Sequence, residues 1–421
     1  MRYSLGFGKT KIEFDINQKN IYKELVPNKI EDTEEILKGA AEVKRAMENP
    51  YGSPRLRNIV KKGEKVVIVT SDITRPMPSK IVLPIVVDEL NEAGIPDEDV
   101  TVVFALGSHR GHTEDEKRYI VGDEIYNRIR CIDSDTKDYV FLGYTKSNNT
   151  PVYIFREVAE ADRRICLGNI EYHYFAGYSG GAKAIMPGVS TRDAIQQNHS
   201  RMVEDGARAG NIKTNPVRQD IDEVANFVPI DFIVNVVLNE KKEIIKAVAG
   251  HYIKAHRAGC SFLDSMYKVK IGKGADIVIV SPGGYPKDIN LYQAQKALDN
   301  AKHAVRKGGI IILAASCKEG LGEKVFERWM LNAKSPQDMM ENIQKNFELG
   351  GHKAAAIAMV LQNADIYLVS ELEDDFVRDI FMKPFKDVQS ALCKAYEVLG
   401  KDSDVILMPY GGSTLPYVEE D

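Results

Sequence analysis

The sequence predicts an α/β protein built of two α/β domains with mainly parallel or mixed sheets. Three observations carry that expectation. Several runs rich in Val and Ile, bounded by Gly or Asp, are each followed by a helix-like stretch. Buried parallel strands read this way, because crossover helices cover both faces of their sheet. The rhythm then restarts after a polar stretch, KIGKGAD (270–276). Finally, 421 residues at roughly 150 per domain suggest two domains, or three.

Taken in order, MRYSLGFGKTKIEFDI at the N-terminus alternates and carries charge, so it reads as a strand and not as a signal peptide. KVVIVTSD (65–72) is a strand run, and a helix-like stretch follows from about Ser79 to Gly94. VTVVFALGSH (100–109) is the next strand run, followed by TEDEKRYIV (113–121). RRICLGNI (163–170) and FIVNVVLN (232–239) complete the first set. ADIVIVSPGG (275–284), GGIIILAAS (308–316), ADIYLVS (364–370) and SDVILMPYGG (403–412) form the second. The expected division is therefore a first domain of 1–268 and a second of 269–421.

Composition excludes several classes. The 56 Lys and Arg against 61 Asp and Glu leave a net charge of −5, with no basic block, which argues against nucleic acid as a partner. No stretch approaches the ~20 apolar residues that a membrane-crossing helix needs. The five cysteines (131, 166, 260, 317 and 393) are odd in number and widely spaced. They suit neither a disulfide framework nor a metal knuckle. A cytoplasmic enzyme is expected.

In open α/β sheets ligands sit beyond the carboxyl ends of strands, often where domains face each other, so an active-site cleft between the two domains is expected. Four segments lie at such strand ends. SDITRPMPSK (71–80) offers Ser71, Asp72 and Thr74 as hydrogen-bonding groups, Arg75 as a fixed cation, and Pro76 and Pro78 as stiffeners before a helix. A helix N-terminus with an arginine suits an anion; the plain alternative is a stiff turn with an ordinary cap. ALGSHRGHTEDE (105–116) sets His109 at a strand end and His112 three residues on. Histidine suits acid–base work near neutral pH, and a pair could hold a metal, although loop histidines are commonly just solvated.

The richest stretch is GNIEYHYFAGYSGGAKAIMPGVSTRDAIQQNHSRM (168–202). Gly177, Gly180 and Gly181 let the backbone approach a ligand and offer N–H groups to a phosphate. Lys183 follows as a candidate nucleophile or attachment point, His173 precedes the loop, and His199 lies on the helix expected after it. The spacing is not that of a P-loop, since Ala184 follows the lysine. In GGYPKDINLYQAQKALDNA (283–301), Tyr292 and Lys296 share a helix face at i,i+4 with Gln293 beside them. Lys296 there could hold a carboxylate; a solvated helix face is the bland reading. His251, His256, His303 and His352 fall in helix-like or loop contexts and read as structural.

These blocks together, in this order, resemble the nickel-dependent lactate racemase family. SDxTRPxPS, GSHR, YHYFAGYSGGAKAIMPG, a downstream NH and INLYQAQKA carry the likeness, which runs over most of the chain. The resemblance implies nickel and a nickel pincer nucleotide, the mononucleotide of pyridinium-3-thioamide-5-thiocarboxylic acid, attached covalently through Lys183. It implies that His199 ligates nickel and that His109 and His173 are the paired acid–base residues. Asp72, Ser71 and the three glycines would lie against the cofactor. Arg75, Lys296, Tyr292 and Gln293 would bind the substrate, a 2-hydroxy acid with lactate the family's default. Maturation proteins that make the cofactor are the implied partners.

The implied reaction is physically reasonable. The α-C–H beside an ionised carboxylate is too weak an acid for simple deprotonation. Taking a proton from the hydroxyl and a hydride from carbon instead gives a planar keto acid that can be reduced on either face. Three further readings compete with lactate racemisation. A phosphoryl transferase would need a magnesium-binding carboxylate cluster and a P-loop, neither of which is found. A non-catalytic module would hold an anionic metabolite without turning it over. The same chemistry could also act on malate or a longer 2-hydroxy acid.

Overall fold

The computed structural model describes residues 1–28, 37–134, 137–239 and 241–418. The chain divides into two compact units, one of Glu31–Asp264 and one of Met1–Ile30 together with Ser265–Asp421.

The unit of Glu31–Asp264 is built on six strands in the order Ile244–Gly250, Phe232–Leu238, Arg163–Asn169, Val66–Ser71, Val100–Ala105 and Arg130–Asp133. All pair in parallel except the first two, which form an antiparallel edge. Val66 through Thr70 are buried without a break, which fits a central strand covered on both faces. Helix Ser79–Glu92 lays Val82, Leu83, Val86, Val87 and Leu90 on the sheet. Each such side chain contributes about 1.5–3 kcal/mol on leaving water. The expected strands and the first helix thus lie where the apolar runs placed them. Arg130–Asp133 and Ile244–Gly250 are strands that the sequence reading did not single out.

The other unit is built on a six-stranded, all-parallel sheet in the order Lys383–Phe385, Ala364–Val369, Val305–Ala314, Ala275–Val280, Val405–Met408 and Ile21–Glu24. The four middle strands are the four expected runs. The expected first domain of 1–268 needs correction at its start. The N-terminal segment is a hairpin of Arg2–Phe7 and Thr10–Asp15 followed by an edge strand, and it folds with the C-terminal part of the chain. The reason is burial: Leu5, Phe14 and Ile16 share a core with Ile277, Ile279, Ile312 and Leu407. Among the described residues no helix is long and apolar enough to cross a membrane.

Candidate active site

Three neighbouring parallel strands of the first unit, Arg163–Asn169, Val66–Ser71 and Val100–Ala105, deliver most of the candidate residues from their carboxyl ends. Ser71 ends its strand and Asp72 follows, buried. Asp72 Oδ2 lies 2.5 Å from His109 Nδ1, and Thr74 donates its hydroxyl to Asp72 Oδ1 at 2.8 Å. Burial works against the Asp72 carboxylate, but the hydrogen bond and charge of His109, then Thr74 and Arg75, hold its pKa below the ordinary value. The carboxylate also orients the imidazole through Nδ1, which leaves Nε2 for proton exchange. Arg75 is exposed and has no ion pair among the described residues.

His112 does not join His109 as a metal pair. Its Nδ1 lies 2.6 Å from Asp133 Oδ1 and its Nε2 accepts from the Ile73 N–H at 3.1 Å. Both nitrogens are used, and the ring braces the turn that carries Asp72.

Strand Arg163–Asn169 leads into a short hairpin, Tyr172–His173 against Gly177–Tyr178. Tyr172 and Tyr178 both donate to Asp264 Oδ1, at 2.9 and 2.7 Å. At the tip sits Phe175, which is 2% exposed. Its ring is the hub of the site. His173 packs edge-on at 4.5 Å between centroids, His199 does so at 4.8 Å, and Lys183 Nζ lies 5.8 Å from the centroid. His199 ends the helix Arg192–His199, whose N-cap is Thr191.

The electrostatics there are unusual for their sign. Lys183 has no ion pair among the described residues, and burial first, then the charges of Arg218 and Arg75, push its pKa well below the ordinary 10.5; Glu171 offsets this only in part. His173 is pushed well below 6.5 by burial and by Lys183, Arg75, His199 and Arg218. Both groups are thereby favoured in their neutral, nucleophilic or basic forms.

Arg218 is a residue that sequence reasoning missed. It is fully buried on the helix Pro216–Val224. Its guanidinium donates to the carbonyls of Ala176, Tyr178 and Gly180, and Asp222 lies 3.6 Å away. Asn215 caps the same helix and donates to the Phe175 carbonyl at 2.8 Å. Replacing Arg218 by Met would remove a buried donor from three carbonyls, of which Ala176 and Gly180 keep a backbone N–H, and would leave Asp222 to Arg257 alone. An equilibrium denaturation experiment should find a loss of about 3–5 kcal/mol.

Packing dictates two of the three glycines. Gly177 has φ +77°, and a Cβ there would run into the Asn211 carbonyl. Gly181 has φ +62° and sits so close to His256 that a Cβ would stand 3.0 Å from its ring. The Gly181 N–H is already taken by Asn235 Oδ1 at 2.8 Å, so it is not spare for a phosphate. Gly180 lies between them, its carbonyl held by Arg218. His256 is structural, as expected: it donates to Ser179 O and accepts from Arg257.

In the other unit, Asn290 caps helix Leu291–Ala301. Gln293 and Lys296 are exposed, whereas Tyr292 is half-buried against Phe326, their rings 5.6 Å apart. A buried lysine not anticipated from sequence, Lys353, donates to the Tyr292 carbonyl at 2.5 Å and stands 3.8 Å from its ring centroid. Burial and the Lys296 charge lower its pKa to about 7.

Comparison with known proteins comes down on one side. Residues 7–210 match the family model of the lactate racemase N-terminal domain and residues 271–415 that of the C-terminal domain. The chain is 35% identical to a lactate racemase of Thermoanaerobacterium thermosaccharolyticum, with 98% of each covered. It is 32% identical to one of Lactiplantibacillus plantarum, with 97% of each covered. The structure of the lactate racemase apoprotein from T. thermosaccharolyticum superposes with a TM-score of 0.88 at 34% identity, over all of both chains. A Thermotoga maritima protein shares the fold, with a TM-score of 0.62 at 18% identity over 91% of this chain and all of that one.

Proposed function

The chain belongs to the lactate racemase family and is a racemase; from that premise we propose that it interconverts D- and L-lactate with a nickel pincer nucleotide attached to Lys183. The observation that carries this reading is the gathering of Lys183, His173 and His199 around Phe175. The residues suit the group. A desolvated amine without a counter-ion is a competent attachment point. His199 would ligate nickel, and an imidazole suits that ion. Among the described residues no three His, Cys, Asp or Glu side chains gather as a metal cluster, so His199 would act as one donor beside those the nucleotide brings. When bound, that group would supply the hydride acceptor.

The chain's own residues would do the rest. His109 and His173 would each take the hydroxyl proton from one enantiomer and return it to the other. They are set up differently. His109 has a carboxylate on Nδ1, which orients the ring. His173 is desolvated among cations that oppose its protonation. One ring oriented by a carboxylate and one desolvated among cations would stand as the acid–base pair that inversion needs. Arg75 would grip the carboxylate or polarise the forming carbonyl. Lys296, with Tyr292 and Gln293, would supply a second positive contact to the substrate, and Ser71 and Asp72 would lie against the nucleotide. The protein would work in the cytoplasm, where partner proteins make the cofactor.

Pure D- or pure L-lactate given to cofactor-loaded, nickel-replete protein should run to an equal mixture by chiral chromatography. No conversion by protein whose intact mass shows the cofactor attached would move the substrate to another 2-hydroxy acid, such as malate.

A further inference from the structure

The strand and helix ends around His199 carry a second set of contacts that the proposed reaction does not use. Asn198 and Asp220 are both fully buried. The Asn198 amide nitrogen donates to Asp220 Oδ2 at 2.7 Å and to the Val217 carbonyl at 3.2 Å. Asp220 accepts in addition from Thr145 at 2.5 Å, Ser147 at 2.9 Å and Thr150 at 2.7 Å, all from the turn before strand Pro151–Phe155. Every one of these partners is a donor. An amide whose nitrogen faces two acceptors has only its oxygen left for a third neighbour. That neighbour is His199 Nδ1, 2.9 Å from Asn198 Oδ1. The ring must therefore carry its proton on Nδ1, which leaves the lone pair on Nε2.

We propose that Asn198 and Asp220 are positioning residues that lock His199 in its Nδ1–H tautomer and so present Nε2 to the metal. The inference rests on the reading of His199 as the nickel ligand. Outer partners of a ligating histidine fix its tautomer and raise its basicity, and losing them typically costs 10–100-fold in metal affinity. The carboxylate matters as much as the amide. An aspartate at 220 dictates which way the Asn198 amide points, and through it which imidazole nitrogen keeps its lone pair.

The test has two arms. In apoprotein labelled with ¹⁵N at histidine, at a pH where imidazole is neutral, the His199 shifts should report a single Nδ1–H tautomer. Asn198→Ala should give a mixture. In cofactor-loaded protein the same variant should lose nickel to a chelator about 10–100-fold more readily by metal analysis. An unchanged tautomer in Asn198→Ala overturns the proposal, and so does an altered tautomer with unchanged nickel retention. If Asn198→Ala does not fold, the near-isosteric Asp220→Asn carries both arms with the same criteria. His199→Ala separates the two ideas. Wild-type nickel retention in that variant would remove His199 as the ligand, while the tautomer result would still stand on its own.

Discussion

Lys183→Met is expected to abolish covalent cofactor attachment and lactate racemisation together, and at the same time to make the apoprotein more stable. Intact mass after co-expression with a competent maturation system reads the first effect. A mutant that retains the adduct would remove Lys183 as the attachment point. The second effect follows from the amine's surroundings. Lys183 is desolvated, has no ion pair among the described residues, and sits within the fields of Arg218 and Arg75. Its pKa in the folded protein lies well below the 10.5 of the unfolded chain. Between those two values the unfolded state binds the extra proton, so wild-type stability rises with pH. Methionine has no proton to bind and fills a similar volume. The thermal midpoint of the variant should exceed wild type by several degrees near pH 7, with the gap closing as pH approaches 10.5. A variant of equal stability at pH 7 would show that the amine is solvated after all. A residue that costs stability where it stands is what a site selected for chemistry should contain.

His109→Ala and His173→Ala should each lower kcat/KM by about 10²–10⁴. Because D- and L-lactate are equal in free energy, the loss must be the same in both directions and cannot by itself tell the two histidines apart. Acid quenching can. A protein left with one base can still take the proton from one enantiomer, so quenched His109→Ala should yield pyruvate from one lactate only. His173→Ala should yield it from the other. Pyruvate from both enantiomers in either variant would end the two-base scheme. Asp72→Asn should resemble His109→Ala more weakly, since it removes the carboxylate that orients the ring and leaves the ring itself.

Much of this architecture was legible in the chain. Buried parallel strands must be apolar on both faces, so Val66–Ser71, Ala275–Val280 and Ala364–Val369 announce themselves as unbroken Val and Ile runs. His109, His173, Lys183 and His199 stood out as candidates because they sit in glycine-rich segments at or just beyond strand ends, while their roles came only with the family resemblance. What escaped was residues whose role lies in partners distant along the chain. Arg218 holds a loop some forty residues earlier, and Asp220 holds a turn seventy or more residues earlier. Nothing in PVRQDID (216–222) marks it as more than an amphipathic helix. Ile21–Glu24 escaped for a similar reason: a four-residue edge strand, mostly exposed, has too little apolar pattern to be read.

That edge strand sets the order in which the protein can be finished during synthesis. Lys19, in the turn just before it, pairs with Asp402, 383 residues later. At roughly 5–20 residues per second the ribosome needs about 20–80 s to cover that distance. For most of that time Leu5, Phe14 and Ile16 have no Ile277 to pack against, and throughout it no Leu407. The continuous unit of Glu31–Asp264, by contrast, has all its strands as soon as it emerges. It can fold while the first hairpin still waits, and the discontinuous unit closes only once Val405–Met408 is made and pairs with Ile21–Glu24. The nascent chain must therefore carry the apolar face of its alternating N-terminal hairpin, Leu5 and Phe14, without its core partners for most of its own translation.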